Sequence, residues 1–231
     1  MVRVRCLLLF VVRTLAKEGW LPHLLPHTLT SPTLTSHAPA SLTCIASHVL
    51  TTTLLSLRSD APPEDGDTPA HIAGQVLGWQ ESITYLGNVL RDRGPFDGVL
   101  GFSQGAGVAA ALCAAQQAGH GEVAGTEPLH FALLFSGHLP VAPELRALLA
   151  RAGPLRVPSL HCFGDADRQL ASPQHVELEG AFDPMARTTV RHDLGHIIPS
   201  QRGFVQRYVR FLAQVDMGRG DGGALEAEGG G

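Results

Sequence analysis

A serine flanked by glycines is the residue of this sequence whose surroundings most favour chemistry. Residues 101–105 read Gly-Phe-Ser-Gln-Gly and fit G-x-S-x-G, the pattern of a sharp strand-to-helix turn that displays a nucleophilic serine. A serine hydroxyl is a weak nucleophile at neutral pH, so it needs a base to accept its proton and a third group to orient that base. The motif is weak by itself, because a chain rich in glycine produces it by chance, and the rest of the sequence has to supply the partners.

An acid and a histidine follow Ser103 in the chain order that such a turn requires, which is serine, acid and then histidine. Asp167 comes three residues after Gly164, in the loop after a predicted strand, and His196 lies in the loop after the following strand. Functional groups of a parallel sheet gather beyond the carboxyl ends of its strands. The sequence therefore predicts that Ser103, Asp167 and His196 meet there.

Each of these three residues has a competing interpretation. Ser103 precedes a predicted helix and also fits a helix N-cap. Asp165 competes with Asp167, and the spacing G-x-x-D favours Asp167. His192 competes with His196, but His192 falls at the end of a predicted strand, whereas His196 lies in the loop before the next helix.

Two cofactor interpretations are weaker. Residues 105–110 fit G-x-G-x-x-A after a strand, but a dinucleotide site also needs an acid at the end of the next strand, about 20 residues on, and "FALLFSG" ends without one. His192 and His196 are four residues apart, as in a helical metal pair, but Gly195 and the predicted loop argue against one rigid helical face. We therefore predict neither a cofactor nor a metal site.

Short apolar runs alternate with helical patterns along most of the chain, which predicts an α/β fold with a mostly parallel sheet and helices on both faces. The predicted strands are 1–10, 44–57, 97–102, 129–137, 158–165 and 187–193. The predicted helices are 71–94, 104–118, 143–153, 172–182 and 199–215. Residues 1–69 form an irregular N-terminal segment with a loop rich in Pro, His, Ser and Thr, 70–214 the main domain, and 215–231 a disordered tail.

Composition limits the classes of partner and the cellular location. A net charge of −4 argues against nucleic-acid binding, and the chain has no apolar run of about 18 residues that predicts stable membrane insertion. The four cysteines are scattered without metal-ligand spacing, which is typical of reduced thiols in the cytoplasm. Residues 1–58 contain several arginines, many Ser and Thr and one acid, Glu18, so a mitochondrial transit peptide is the alternative.

From about residue 94 onward the chain resembles the FSH family of serine hydrolases. The resemblance rests on "GPFDGVLGFSQGA" (94–106), "FALLFSG" (131–137), "PSLHCFGDADRQLASPQ" (158–174) and "LGHIIP" (194–199). It implies an α/β-hydrolase fold and hydrolysis of small-molecule carboxylic esters with medium or long acyl or alkyl chains. It also implies Ser103 as the nucleophile, His196 as the base and Asp167 as its charge partner.

The N-terminus departs from the family pattern. In the family, one oxyanion-hole N–H comes from a small-residue loop after the first strand and the other from the amide after the nucleophile, which places them at Phe10 and Gln104. This sequence has Leu8-Leu9 where the small residues belong, and a leucine in place of glycine disfavours the backbone conformation that aims the amide inward. The sequence thus leaves open an active esterase, an acyl thioesterase, and a weakened or inactive hydrolase-like binding protein.

Overall fold

The computed structural model describes the backbone of a large C-terminal part of the chain and of three strands that precede it. The described residues are 3–11, 43–45, 49–52, 69–170 and 172–220. The predicted loop rich in Pro, His, Ser and Thr, residues 53–68 and the last part of the predicted tail lie outside the described residues. Side chains are described at residues 72–74, 76–170 and 172–217.

The described strands form one sheet in which every pairing is parallel. In chain order they are β1 (Arg3–Val11), β2 (Thr43–Ile45), β3 (Val49–Thr52), β4 (Gly98–Phe102), β5 (Phe131–Phe135), β6 (Ser159–Gly164) and β7 (Arg187–His192). Their spatial order is β2-β1-β4-β5-β6-β7, and β3 also pairs with β1. The carboxyl ends of β4, β5, β6 and β7 therefore lie along one edge of the sheet.

Helices lie between successive strands from β3 to β7 and after β7, and they cover both faces of the sheet, which confirms the predicted α/β class. They are α1 (Pro69–Arg93), α2 (Gln104–Gln117), α3 (Pro143–Ala152), α4 (Ser172–Gly180) and α5 (Arg202–Gly220). Alternate residues of β5 enter different cores because neighbouring side chains of a strand point to opposite faces. Ala132 and Leu134 pack with α1, α2 and α3, whereas Phe131, Leu133 and Phe135 pack with α5.

Most predicted boundaries lie within three residues of the observed ones, and two predicted elements differ more. The predicted strand at 44–57 is two short strands, since β2 pairs with the first part of β1 (Arg3 opposite Thr43) and β3 with its last part (Leu8 opposite Val49). Helix α5 continues to Gly220, so the first residues of the predicted tail are helical. No proline interrupts residues 215–220, and the glycines there weaken a helix without ending it.

Helix α2 lies so close to the loop after β5 that Gly107 has no room for a side chain. A Cβ at Gly107 would lie 2.5 Å from the backbone oxygen of His138, whereas a Cβ at Gly203 in α5 would meet nothing within 4 Å. We expect Gly107→Ala to lower the free energy of unfolding by about 1–3 kcal/mol, because the helix must move to admit the methyl group. Urea unfolding measures the change.

Gly203→Ala is the matched control, because it makes the same substitution in a helix with open space. Its higher helix propensity should leave stability unchanged or raise it by up to about 1 kcal/mol. Equal effects of the two variants on the unfolding midpoint would contradict the close packing of α2.

Candidate active site

Ser103 occupies a strained backbone turn between β4 and α2. Its φ of 55° and ψ of −126° lie in a region that residues other than glycine rarely adopt. The Ser103 N–H donates to the carbonyl of Phe135 at 2.9 Å, and the Ser103 carbonyl accepts from the N–H of Ala106 at 3.0 Å. Strain of this kind persists only where the surroundings over-determine it, and it concentrates at functional sites.

The turn is sharp enough to exclude a side chain at Gly101. A Cβ there would lie 2.4 Å from the carbonyl oxygen of Gly105 and 2.6 Å from Cα of Ala106. The first turn of α2 therefore packs directly on the last strand residues. This close approach explains in physical terms why glycine stands before the serine in the motif.

His196 joins the serine to the acid. Its Nε2 lies 2.9 Å from Oγ of Ser103, and its Nδ1 lies 2.7 Å from Oδ2 of Asp167. A carboxylate only accepts hydrogen bonds, so Nδ1 carries the proton and Nε2 is left to accept the serine proton. Ser103 stands at the N-cap position of α2, but its side chain makes no capping hydrogen bond to the helix and faces His196 instead.

Asp167 is a buried carboxylate with three hydrogen-bond donors. Its side chain is 1% exposed, and its Oδ1 accepts from the N–H groups of Gln169 at 2.8 Å and Leu170 at 3.0 Å. Burial alone raises the pKa of Asp167, but the hydrogen bond from His196 and those from Leu170 and Gln169 outweigh it and hold the pKa below its usual value. The group is therefore ionised at neutral pH.

The competing acid and histidine lie elsewhere. Asp165 is exposed and accepts a hydrogen bond from Nε of Arg191 at 2.9 Å. His192 is buried, and its Nδ1 accepts the N–H of Leu194 at 3.2 Å. Burial is the largest influence on the pKa of His192 and lowers it. Neither Asp165 nor His192 therefore takes part in the hydrogen bonds that join Ser103, His196 and Asp167.

The two proposed oxyanion donors differ in how far the structure describes them. Gln104 is the first residue of α2, where backbone N–H groups and the positive end of the helix dipole favour negative charge. Phe10 lies within β1 opposite Phe102, with Thr51 as its partner on the other side, and β1 continues through Val11. The loop after β1 lies outside the described residues, so the donor from this region stays a prediction.

Two polar residues near the site have no counterpart in the sequence-based prediction. Ser136, directly after β5, is buried with φ of 44°, and its Oγ is 3.4 Å from the carbonyl oxygen of Ile197. His175 in α4 is buried, with Nδ1 2.8 Å from the carbonyl oxygen of Gly137 and Nε2 3.5 Å from Oδ2 of Asp167. The sequence signal for Ser136 was the "SG" after a buried strand, and His175 gave none.

The described part of the chain offers no evident place for a metal or a membrane span. None of its helices is both long and apolar enough to cross a bilayer. Its His, Cys, Asp and Glu side chains form no group of three or more that could hold a metal ion. Both ring nitrogens of His196 face other partners, Nε2 toward Ser103 and Nδ1 toward Asp167.

Comparison with protein families and curated proteins gives a consistent match. The family model described as Serine hydrolase (FSH1) matches residues 61–208. Esterase OVCA2 from Homo sapiens is 41% identical over 138 residues, which are 59% of this chain and 58% of that protein. Rhodanese-like domain-containing protein 6 from Arabidopsis thaliana is 38% identical over 171 residues, 70% of this chain and 28% of that protein. The chain thus spans less than two thirds of these relatives.

Comparison with solved structures supports the fold. The crystal structure of esterase PE8 superimposes with a TM-score of 0.52 at 19% sequence identity, and the alignment covers 92% of each chain. Together with the parallel sheet and its helices, this likeness confirms the predicted α/β-hydrolase architecture.

The depressed pKa of Asp167 predicts how stability depends on pH. A carboxyl whose pKa is lower in the folded state stabilises the fold above its ordinary value of 3.8, and this contribution disappears as the pH falls through the folded-state value. We expect wild type to be more stable than Asp167→Asn near neutral pH and the difference to shrink below 3.8. Urea unfolding as a function of pH measures it.

Asp165→Asn is the control for this experiment, since it removes a carboxylate from the same loop but keeps Asp167. It should retain the acid-dependent loss that Asp167 causes in wild type. A difference between wild type and Asp167→Asn that stayed constant from neutral to acid pH would contradict the hydrogen-bonded, ionised state of Asp167.

Proposed function

The chain belongs to the FSH1 serine hydrolase family, and we propose that it hydrolyses carboxylic esters through Ser103, His196 and Asp167. The observation that carries this proposal is the position of His196, whose two ring nitrogens lie within hydrogen-bond distance of Ser103 Oγ and Asp167 Oδ2. This is the arrangement that a serine needs in order to act as a nucleophile at neutral pH.

In the proposed reaction, Oγ of Ser103 attacks the ester carbonyl carbon while Nε2 of His196 takes up the hydroxyl proton. The tetrahedral intermediate collapses when His196 returns that proton to the leaving alcohol, and an acyl group remains on Ser103. Water then attacks the acyl carbon with His196 again as the base, which releases the carboxylic acid and regenerates the serine.

The ionised Asp167 acts on the base rather than on the substrate. When His196 becomes an imidazolium, the buried carboxylate beside Nδ1 stabilises the new positive charge and keeps the ring in one tautomer. The N–H groups of Gln169 and Leu170 hold the carboxylate oxygen that does not face His196. The geometry of the acid is therefore set before substrate binds.

The negative charge on the substrate oxygen needs donors of its own. The amide of Gln104 at the start of α2 is the first, and the second would come from the region after β1. Loss of one such donor typically lowers kcat about 10²–10³-fold. Because Leu8 and Leu9 stand where the family has small residues in this region, the test below includes a weakened or non-catalytic protein among its outcomes.

Membership of the serine hydrolase family supports the proposed substrate class. A small-molecule ester with an acyl or alkyl chain is the proposed substrate, in line with the name esterase carried by the human relative. A thioester presents the same acyl carbon to the same nucleophile. Esters and thioesters with identical acyl chains therefore belong in one assay.

A fluorophosphonate probe and a p-nitrophenyl acyl ester test this proposal together. We expect wild type to be labelled and to hydrolyse the ester, and Ser103→Ala to lose both. His196→Ala should lower kcat by about 10⁶-fold and Asp167→Asn by about 10⁴-fold, since serine hydrolases of this type show losses of that order. Asp165→Asn and Ser200→Ala, which change residues outside the proposed machinery, should keep wild-type activity.

Three results would separate the possibilities. Folded wild-type protein that is neither labelled nor active would overturn the esterase proposal and favour a hydrolase-like binding protein. A higher kcat/KM for the thioester than for the matched ester would point to a thioesterase. Equal labelling of wild type and Ser103→Ala would show that the probe reacts at another residue.

A further inference from the structure

His175 brings a second imidazole to the proposed catalytic acid. Its side chain is 1% exposed, and its Nε2 lies 3.5 Å from Oδ2 of Asp167, the same oxygen that receives Nδ1 of His196. The Nε2 atom makes no hydrogen bond within the described residues. A buried polar atom that faces a reacting group without a hydrogen bond is uncommon and calls for a physical reason.

The other ring nitrogen determines where a proton of His175 must lie. Nδ1 is 2.8 Å from the carbonyl oxygen of Gly137, and a carbonyl oxygen can only accept a hydrogen bond. Nδ1 therefore carries a proton. In the neutral ring, Nε2 then presents its lone pair to the anionic oxygen of Asp167. In the charged ring, Nε2–H faces that oxygen and forms an ion pair with it.

These two states of His175 have opposite consequences for the base. While His175 is neutral, the charge of Asp167 is available to the imidazolium that His196 becomes during attack. Once His175 is charged, the carboxylate is shared between two positive rings, and the imidazolium of His196 loses part of its stabilisation. Proton transfer from Ser103 then becomes less favourable.

We propose that His175 is a positioning residue whose protonation state is coupled to the Asp167–His196 pair and weakens His196 as a base when His175 takes up its second proton. The catalytic consequence rests on the proposed function, whereas the coupling between the rings does not. His175 touches Asp167 and not the substrate, so it acts through the acid.

The surroundings of His175 leave Asp167 as the carboxylate directly opposite Nε2. The ring stacks on Phe163 of β6, with centroids 4.9 Å apart and an interplanar angle of 12°. Besides Asp167 and His196, the titratable or charged groups near the carboxyl ends of β5, β6 and β7 and on α4 are Asp165 and Arg168 after β6, Arg191, His192 and Asp193 at the end of β7, His138 after β5, and Glu177 and Glu179 on α4 itself.

Most of those groups are engaged with partners other than His175. Arg191 pairs with Asp165, and its guanidinium lies 5.6 Å from the centroid of the Phe163 ring. On α4, Glu177 pairs with Arg146, and Glu179 lies 3.7 Å from Nε of Arg187.

The two neighbouring histidines also have partners of their own. Nδ1 of His138 lies 3.0 Å from the carbonyl oxygen of Leu139, and Nδ1 of His192 accepts a hydrogen bond from the N–H of Leu194. The contact with Asp167 is therefore the one to test.

His175→Asn is the sharpest variant. An asparagine amide can keep the hydrogen bond to Gly137 while it places nothing titratable opposite Asp167. The pH titration of the His196 ring, followed by NMR at its Cε1–H, should show two inflections in wild type and one in His175→Asn. The rate of fluorophosphonate labelling of Ser103 should fall at acid pH with a two-proton dependence in wild type and a one-proton dependence in the variant.

His161→Asn is the matched control, because it removes another buried imidazole from the same domain. Nε2 of His161 lies 3.0 Å from Oγ of Ser159, and burial, with the charge of Arg187, lowers the pKa of His161 to about 3. This variant should keep two inflections and the two-proton dependence. Circular dichroism at each pH identifies folded samples, and His175→Gln replaces His175→Asn if the latter does not fold.

The outcomes separate this inference from the proposed function. A single inflection of His196 in wild type, or two inflections that persist in folded His175→Asn, would overturn the coupling. Two inflections in wild type that become one in the variant support it, whether or not Ser103 is labelled. Coupled rings without any Ser103-dependent labelling would mean that the coupling is real and the proposed hydrolase function is wrong.

Discussion

The left-handed backbone of Ser103 is the constraint on which the rest of the site depends. Strand β4 and helix α2 meet there without a connecting loop, and the conformation is held by the hydrogen bond from the Ser103 N–H to Phe135. It turns the side chain out of the sheet edge, where His196 can reach it. A relaxed turn would lengthen the connection and move the hydroxyl away from a base that lies 93 residues later in the chain.

The parts of the site that follow strands could be predicted from the sequence, because local pattern and chain order are sufficient for them. Short apolar runs locate the strands, glycines locate the turn around Ser103, and the carboxyl ends of parallel strands share one edge. The same reasoning brings Asp167 and His196 to that edge. The choice between neighbouring candidates, such as Asp165 and Asp167, depended on spacing alone, and the structure separates them by burial and partners.

Contacts made by residues other than the serine, acid and histidine of the site could not be predicted in the same way, because no periodicity or turn pattern encodes them. His175 lies on a helix whose pattern gives no sign that its ring faces a carboxylate in a preceding loop. Ser136 and Ile197 are 61 residues apart and meet because both follow strands whose carboxyl ends lie along one edge of the sheet. Helix α5 was predicted to end too early, because glycines near its end weaken helix propensity without stopping the helix.

The end of β5 and the turn after it contact the segments of Ser103 and His196 directly and reach Asp167 through His175. The carbonyl of Phe135 accepts from Ser103, Oγ of Ser136 faces the carbonyl after His196, and the carbonyl of Gly137 accepts from His175, which stands beside Asp167. The three consecutive residues Phe135, Ser136 and Gly137 thus contact segments that are far apart in the sequence. We therefore expect local opening at this turn to loosen the nucleophile, the base and the helix beside the acid together, as one cooperative unit rather than as separately mobile loops.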